Sequence, residues 1–456
     1  MALNFKKGVK MQKSRRDALK ILGAGALLAS GVGVAQKAQA KTSALSPKIA
    51  IIGAGLGGIT LSASLIKEMP NAKITLFDKD EDFYYQPGFT LIAAGIYNLS
   101  DVAYKKSELI NEKVEWKKEH IAQILPESNQ IISQNGKSYE YDILVIATGV
   151  EYDFNAVEGL SEADLEGESG NIATIYTPKS ALKAQNLFRQ IIAQGKEGNK
   201  LNVLFSEQKS QNKCGGANKK INFLLDDLLQ TNGLKNQVQT TLFTGGGAML
   251  SSPIHAKMIE QFFVARDMPY HLLHQLVAVD KQKGKATFQT SYMLNGKRID
   301  SDEFVEREFD YLFVIPTMRA QKFISEARLS TNAGNWVDVD KFTLQHKGFN
   351  NIFAIGDCAG VPKGKTGASI RKQYPVITQN IISHLEGKPL EAKFSGYTAC
   401  PLLTRYGKAV MVEFDYNGAA PSLECFGATR ESYLNWALKV YAMKAMVMKG
   451  MIYARA

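Results

Sequence analysis

A glycine-rich turn between a strand and a helix is the feature that most constrains this fold. The apolar strand at residues 49–52 runs into Gly53-Ala54-Gly55-Leu56-Gly57-Gly58, and a helix is predicted over residues 59–68. A second strand, at residues 73–77, ends in Asp78, 20 residues after Gly58. Gly53, Gly55 and Gly58 suit a tight turn, close approach to a pyrophosphate and close helix packing, and an acid at Asp78 suits a ribose hydroxyl. The order predicts a dinucleotide-binding α/β domain, and a glycine loop without a ligand is the alternative.

Two later strand ends favour FAD over NAD as the dinucleotide. The predicted strand at residues 143–147 ends in Thr148-Gly149, and the one at residues 352–355 ends in Gly356-Asp357, before a helix over residues 367–379. Both resemble sequence marks of flavoproteins with two dinucleotide domains, in which the aspartate binds the ribityl chain. A helix in that place would point its positive N-terminus at the flavin pyrimidine. An ordinary Gly-Asp turn is the alternative.

The segment between these marks is expected to form a second Rossmann-like domain without a pyridine nucleotide site. Its strand at residues 201–205 is followed by residues 206–217, which contain no G-x-G-x-x-G. We interpret Gly245-Gly246-Gly247 as a loop, because its spacing and position do not fit the fingerprint. Electrons should therefore reach the flavin from a donor other than NADH.

Length and composition fit this multidomain α/β architecture. The chain has 456 residues, 45% of them apolar, which is enough for real cores and excludes disorder for most of its length. We divide it into a signal peptide (1–40), a first FAD-binding segment (41–160), the second Rossmann-like domain (161–330), a second FAD-binding segment (331–390) and a C-terminal amphipathic helical region facing quinone and membrane (391–456).

The basic N-terminus predicts export by the twin-arginine route. Arg15 and Arg16 precede a mildly apolar stretch, and Ala38-Gln39-Ala40 offers a cleavage site. A Sec-type signal or an uncleaved anchor is the alternative. The net charge of +11 suggests nucleic acid, but cleavage after Ala40 leaves 47 basic and 43 acidic residues. We therefore expect a periplasmic protein without a nucleic-acid partner.

The four cysteines are too few for a disulfide scaffold, so any that matter must act chemically. Cys214 lies among Lys213, Lys219 and Lys220, ahead of a helix predicted over residues 221–229. Cations and a helix N-terminus both favour a thiolate, so we predict a redox role for it rather than simple burial. Cys358 is expected to pack beside the flavin. Cys400 cannot be paired with Cys214 from spacing, and Cys425 has no distinguishing feature.

Longer motifs give the chain a specific resemblance. It resembles the sulfide:quinone oxidoreductases, in the branch similar to the mitochondrial enzyme. The matching segments span nearly the whole chain after the signal: residues 84–88 with Gly95, residues 213–217, residues 336–340 with 344–346 and 356–357, residues 362–367, residues 396–402 and residues 413–416.

The resemblance implies a redox pair formed by Cys214 and Cys400. Hydrosulfide would attack the pair at Cys400, leaving a persulfide there and a thiolate at Cys214 that reduces FAD. The reduced flavin would then pass its electrons to a membrane quinone, while the sulfur leaves to an acceptor or grows into polysulfide. The chain departs from the family at two places. Asn218 stands where proline is usual after the cysteine segment, and Ser210 and Gln211 stand where the family often has proline before the cysteine. The loss of proline puts the local backbone around Cys214 in doubt.

Other candidate groups carry weaker signals. Lys365, in the turn at residues 364–367, is a candidate contact to flavin or quinone, and a solvated loop lysine is the alternative. None of the six histidines has metal-ligand spacing, so we predict no metal.

The C-terminal residues predict a helix at the membrane surface. From Arg430 onward five basic residues stand against one acid, with four methionines. We expect an interfacial helix that dips Leu434, Leu438, Met446 and Met448 among lipids, while Lys439, Lys444, Lys449 and Arg455 meet headgroups. The alternative is a helix packed on the protein's own core or in an oligomer.

Three other functions compete with this interpretation. A flavocytochrome-type sulfide dehydrogenase would hold its flavin through a cysteine near residues 84–87; this chain has none there, which favours FAD bound without a covalent link. A type II NADH:quinone oxidoreductase would need the missing second fingerprint. A flavin-binding structural or sensor protein would need neither Cys214 nor Cys400.

Overall fold

The computed structural model describes residues 46–420, residue 422 and residues 429–455. The signal peptide predicted at residues 1–40 and Cys425 lie outside the described residues, and the division into segments remains a prediction.

The first sheet is parallel and carries the glycine turn at its centre. Its strands are buried apolar runs, as expected where helices cover both faces; all four residues of Ile143–Ile146 are buried. Helices Leu56–Glu68 and Gly367–Leu385 pack against each other beside it. In spatial order the strands are Ile352–Ala354, Ile143–Ile146, Lys48–Ile52, Lys73–Phe77 and Glu115–Lys117.

The second sheet repeats this design. It is also parallel, and helices Pro178–Lys196, Ala217–Thr231 and Pro253–Ala265 accompany it. In spatial order its strands are Ile172–Ala173, Tyr311–Val314, Leu201–Glu207, Val238–Thr244 and Tyr270–His271. The prediction of two Rossmann-like domains with a C-terminal helical region is confirmed.

Smaller antiparallel elements surround the two sheets. A three-stranded sheet beside the second one consists of His274–Asp280, Lys285–Leu294 and Lys297–Glu308. Another consists of Ile121–Leu125, Gln130–Ser133 and Ser138–Glu140. Two-stranded pairs join Asp82–Tyr84 to Ala103–Lys105 and Glu151–Asp153 to Thr317–Arg319, and the short helices are Phe89–Ala93, Glu162–Glu166 and Lys322–Glu326.

The chain ends in an antiparallel hairpin and a helical tail. The C-terminal hairpin pairs Thr398–Arg405 with Lys408–Asp415, followed by the short strand Gly418–Ala419. The tail (residues 429–455) contains helix Tyr433–Ala437, a π-helical turn at Leu438–Ala442, helix Met443–Lys449 and a 3₁₀ turn at Met451–Tyr453.

The tail packs on the body of the protein, which corrects part of the membrane prediction. Leu438 is fully buried against Met411 of the C-terminal hairpin, and Met448 belongs to the main core. Lys444 donates a hydrogen bond to the Asp101 carbonyl oxygen at 2.8 Å. The prediction that Leu438 and Met448 lie among lipids is wrong, because the protein's own apolar surface covers them.

Other tail residues remain available to a membrane. Leu434 and Met446 are half-buried, whereas Lys449 and Arg455 are exposed. Contact of these four with lipid stays a prediction. Within the described part of the chain, no helix is long and apolar enough to cross a membrane.

Candidate active site

A cavity of about 780 Å³, called the central cavity below, runs from the glycine turn to the tail. Of the predicted cofactor residues, Gly53, Gly55, Asp78, Thr148, Gly149, Gly356, Asp357 and Lys365 all line it. So do Cys214 and Cys400, the predicted redox pair. The fold therefore brings residues from all four segments predicted after the signal peptide to one cavity.

The glycine turn forms a cradle at one end of this cavity. Gly53 has φ +105°, and a Cβ there would lie 2.5 Å from the Ala147 carbonyl oxygen. A Cβ on Gly55 would meet nothing within 4 Å, so this glycine leaves open space beside helix Leu56–Glu68. No side chain caps that helix, which leaves its first N–H groups available to an anion. The geometry fits the diphosphate of a dinucleotide.

Gly58 does not line the cavity and acts through packing. A Cβ there would lie 1.9 Å from the Gly53 carbonyl oxygen, so only glycine allows the helix to approach the strand this closely. This is the third glycine's role in such turns.

Asp78 is held by three partners, the backbone N–H of Asp80 at 3.0 Å and two others, one of which the sequence did not reveal. Its carboxylate accepts a hydrogen bond from the Ala54 N–H at 2.8 Å and forms a 2.8 Å ion pair with Lys106. The side chain of Lys106 is almost completely buried. Lys106 also lines the central cavity, so it could meet a ligand phosphate or hydroxyl together with Asp78. Nothing in the sequence around Lys106 marks it, because it lies on a different element.

Asp357 and Lys365 lie together at the start of helix Gly367–Leu385. The Lys365 ammonium donates to the carbonyl oxygens of Asp357 at 2.6 Å and Ala359 at 3.1 Å, and it lies over the Trp336 ring. Burial lowers the pKa of Lys365 to about 8. Burial also raises the pKa of Asp357, against the nearby charges of Lys213 and Lys365. Lys365 is thus a buried residue at the cavity wall, and its reading as a solvated loop lysine is wrong.

Cys214 and Cys400 are brought together from 186 residues apart. Their sulfur atoms lie 3.3 Å from each other, as free thiols. Cys400 comes from the C-terminal hairpin, while Cys214 precedes helix Ala217–Thr231 with a φ of +54°, a conformation unusual for a residue with a side chain. Gly216 is required at this approach, because a Cβ there would lie 2.8 Å from the Cys400 sulfur.

The three lysines near Cys214 have different partners. Lys220 donates to the Cys214 sulfur at 3.2 Å. Lys219 is buried in an ion pair with Glu207, and it also donates to the Gly215 carbonyl oxygen at 3.1 Å. Lys213 turns away to the Gln86 side chain, at 2.7 Å. Only Lys220 places its charge directly on the thiol.

Asn218 compensates for the missing proline next to Cys214. It lies in the first turn of helix Ala217–Thr231, fully buried, and its side-chain amide donates to the Ser206 carbonyl oxygen at 3.2 Å. The bond ties the start of this helix to strand Leu201–Glu207. A hydrogen bond thus restrains the backbone where proline would restrict it covalently.

The two thiols have opposite electrostatics. The hydrogen bond from Cys400 holds the pKa of Cys214 well below its usual range, and the charges of Lys220 and Lys439 act in the same direction against burial. The pKa of Cys400 lies well above its usual range, because its proton is engaged with Cys214 and because it is buried. Both shifts favour ionisation of Cys214 over ionisation of Cys400.

Lys439 of the tail is the clearest correction to the sequence predictions. It was expected at lipid headgroups, but it is buried, lines the central cavity and donates to the Pro87 carbonyl oxygen at 3.0 Å. Burial lowers its pKa to about 7, and the charge of Lys220 adds to this effect. The residue lies in the π-helical turn Leu438–Ala442, and such turns recur at functional sites.

The remaining site predictions are simpler. Cys358 is fully buried, and its thiol donates to the Ile146 carbonyl oxygen at 3.3 Å. It does not line the central cavity, so its packing beside a flavin stays a prediction. In residues 46–420 and 429–455, no cluster of His, Cys, Asp or Glu has the size of a metal site.

Comparisons with known proteins agree with this geometry. Residues 47–203 match the family model described as pyridine nucleotide-disulphide oxidoreductase. The mitochondrial sulfide:quinone oxidoreductase of Dictyostelium discoideum is 31% identical over 90% of this chain and 86% of its own length. That of Schizosaccharomyces pombe is 32% identical over 81% of each. The solved sulfide:quinone oxidoreductase of Aquifex aeolicus superposes with a TM-score of 0.69 at 22% identity, covering 89% of this chain and 92% of its own.

The fold has two Rossmann-like domains. The relatives place the chain among the flavin-dependent oxidoreductases. Within that class, the chain belongs to the sulfide:quinone oxidoreductase family.

Proposed function

We propose that this protein oxidises sulfide at Cys214 and Cys400 and passes two electrons through FAD to a membrane quinone. One observation carries the proposal: two thiols lie 3.3 Å apart at the wall of the dinucleotide cavity, and their pKa values are shifted in opposite directions. A sensor or structural protein would not need such a pair.

FAD would be held without a covalent link. The turn at Gly53 and Gly55 would take the diphosphate, Asp78 with Lys106 the ribose, and Asp357 the ribityl chain. The sequence has no cysteine between residues 46 and 213 that could tether a flavin. When bound, FAD supplies a two-electron acceptor that the dithiol reduces and that quinone reoxidises.

Sulfide enters the reaction at Cys400. In the oxidised form the two cysteines make a disulfide, and hydrosulfide attacks the Cys400 sulfur. The S–S bond breaks, a persulfide forms at Cys400 and Cys214 leaves as a thiolate. This direction is favoured because the Lys220 ammonium, which donates to the Cys214 sulfur, stabilises that sulfur as the leaving thiolate.

The cycle closes when the outer sulfur leaves. A nucleophilic acceptor, such as a second hydrosulfide, takes that sulfur, and the Cys400 sulfur takes up a proton and becomes a thiol. When the disulfide re-forms from the Cys214 thiolate and the Cys400 thiol, the thiol proton goes to solvent and the two electrons would go to the bound flavin. Lys220 stabilises the thiolate at Cys214, and Lys439, with a pKa of about 7, can hold or release a proton beside the pair near neutral pH.

Quinone would meet the cavity at its apolar end. Met411 of the C-terminal hairpin and Met443, Met446 and Met451 of the tail line the cavity there. An apolar wall with few polar groups suits a quinone ring. The half-buried and exposed tail residues would place this end against a bilayer.

Flavin spectroscopy tests the proposal. Sulfide should bleach the flavin absorbance of the purified protein, NADH should not, and a short-chain quinone should restore it. If sulfide leaves the flavin oxidised, the proposal fails.

We further propose export to the periplasm by the twin-arginine route and attachment to the membrane surface there. The paired arginines at residues 15 and 16 support this. Replacing both with lysine should retain the protein in the cytoplasm on cell fractionation, and an unchanged distribution would contradict the route.

A further inference from the structure

The two faces of the C-terminal hairpin serve different ends of the site. Side chains along a strand alternate between faces, so Cys400 and its cross-strand partner Val412 lie on one face. On that face Cys400 meets Cys214. The opposite face carries the pairs formed by residues 399 with 413 and 401 with 411, all of which line the central cavity. The second face thus belongs to the apolar end, where the tail methionines lie.

One charged side chain interrupts this apolar face. Glu413 is 3% exposed, yet its carboxylate is well supplied with donors. It accepts from the Tyr397 hydroxyl, and from the backbone N–H of Ser422 at 2.7 Å and its hydroxyl at 2.6 Å. Tyr397 also lines the cavity, whereas Ser422 is exposed. The hydrogen-bonded chain therefore runs from the protein surface through Glu413 to the cavity.

Other charged groups surround this chain. Arg371 and Lys372 of helix Gly367–Leu385 lie 5.9 Å from the Tyr397 ring. Burial lowers the pKa of Lys372, against the charge of Glu413, and the same two influences act on His255 of helix Pro253–Ala265. Burial followed by the charge of Glu413 raises the pKa of Tyr397, so this phenol keeps its proton at neutral pH.

A buried carboxylate is costly to keep in an apolar wall unless its charge is used or balanced. Reduction of a quinone to a quinol consumes two electrons and two protons. The reduced flavin supplies the electrons and one proton, and the second proton must reach the apolar end of the cavity from solvent. A chain of exchangeable hydrogens from the surface to the cavity meets this need.

We propose that Ser422, Glu413 and Tyr397 deliver a proton from solvent to the reduced quinone. The Tyr397 O–H bond breaks as a new O–H bond forms on the quinone oxygen. A proton from solvent then passes through the Ser422 hydroxyl to the Glu413 carboxylate and on to the Tyr397 oxygen, so that Tyr397 is again a phenol and Glu413 again a carboxylate. The inference rests on the proposed function, since it assumes a quinone at the apolar end.

The test uses Glu413→Gln and Tyr397→Phe in the FAD-loaded protein. Both variants should keep sulfide-driven flavin reduction, while reoxidation of the flavin by a short-chain quinone slows about 100-fold or more, in the range of general acid catalysis. The pH dependence of reoxidation should flatten in both. Tyr416→Phe is the matched control: its hydroxyl donates to the Lys341 carbonyl oxygen, outside the cavity, so its reoxidation should match that of the unaltered protein.

Equilibrium binding separates proton delivery from a structural role. Calorimetry with a redox-inert quinone analogue should give the same affinity for Glu413→Gln as for the unaltered protein. Loss of analogue binding, or reoxidation with unchanged rate and pH profile, would overturn the inference. The same reoxidation can be measured after the flavin is reduced with dithionite instead of sulfide. The proton-delivery inference can therefore fail while sulfide oxidation stands, and sulfide oxidation can fail while the inference stands.

Discussion

The two Rossmann-like sheets use the same position for different anions. In each, a central strand leads through a loop into a helix, Leu56–Glu68 in the first sheet and Ala217–Thr231 in the second. Neither helix has a side-chain cap or an acid in its first turn, so each offers a positive N-terminus. In the first, the open glycine Gly55 leaves that end to a ligand. In the second, Cys214 stands at the helix start and a protein thiolate takes the place of a phosphate.

Contacts within the chain also cross the loops of the second sheet. Arg298, from the antiparallel sheet beside it, donates to the Gly245 carbonyl oxygen, and Lys209 forms a 2.6 Å ion pair with Asp300 of the same sheet. The comparison teaches that the same helix-start position can serve a ligand in one sheet and, as we propose for Cys214, a reactive thiol in the other.

Removing the thiol at the helix start of the second sheet should have the largest effect on activity. Cys214→Ser removes the thiolate but leaves the helix intact, so sulfide-driven flavin reduction should fall by about 1000-fold or more, as expected for loss of a nucleophile. FAD content should not change, because the first sheet holds the cofactor. Flavin absorbance measures both quantities: its stopped-flow decay gives the rate of flavin reduction, and its amplitude gives the FAD content. Cys358→Ser is the control, since Cys358 is buried away from the cavity; substantial activity in Cys214→Ser would contradict the assignment.

A change in the glycine turn of the first sheet should give the opposite result, a loss of FAD affinity. Gly55→Ala introduces a methyl group into the space that we assign to the diphosphate, and FAD affinity should fall by about 10- to 100-fold, or about 1.4 to 2.8 kcal/mol. The protein should still fold, because nothing lies within 4 Å of the new Cβ. The ratio of flavin to protein after dialysis measures the effect.

The matched control for that change is Gly247→Ala, in the loop after strand Val238–Thr244 of the second sheet. Its new Cβ would make ordinary contacts with Leu273 and Met293 at 3.5 Å, and FAD content should be unaffected. Equal FAD content in Gly55→Ala and Gly247→Ala would contradict the cradle.

The sequence predicted those parts of the fold and site that depend on neighbouring residues. The glycine turn, its helix and Asp78 form one continuous motif, and the apolar runs marked the central strands. The pairing of Cys214 with Cys400 came from family resemblance, because 186 intervening residues carry no spacing rule. Lys106 escaped notice for the same reason: its ion pair with Asp78 is made by the fold and not by a local pattern.

The tail shows why composition misled. Methionines and lysines in a helix suit a lipid surface and a protein interior equally well, since both offer an apolar phase. Lys439 lies in the π-helical turn Leu438–Ala442, where it is buried and lines the central cavity instead of meeting solvent. No periodic pattern in the sequence indicates such a turn.

Lys220→Met should have the smallest effect of these variants. It tests which group stabilises the thiolate form of Cys214. In this variant the thiol keeps its place at the helix N-terminus and its hydrogen bond from Cys400 but loses the cation 3.2 Å away. Removal of the positive charge should raise the pKa of Cys214. At a given pH near that pKa, a smaller fraction of Cys214 is then thiolate. After reduction of the protein, alkylation of Cys214 by iodoacetamide at pH 7 should slow about tenfold, and its pH profile should move to higher pH.

Lys220→Arg keeps the charge and should restore most of this reactivity, with peptide mass spectrometry confirming which cysteine reacts. If Lys220→Met alkylates with an unchanged pH profile, the helix N-terminus and the Cys400 hydrogen bond suffice to hold the thiolate. The two sheets would then stabilise their anions by the same means. A clear shift instead shows that the second sheet holds its anion with a lysine in addition to the helix N-terminus.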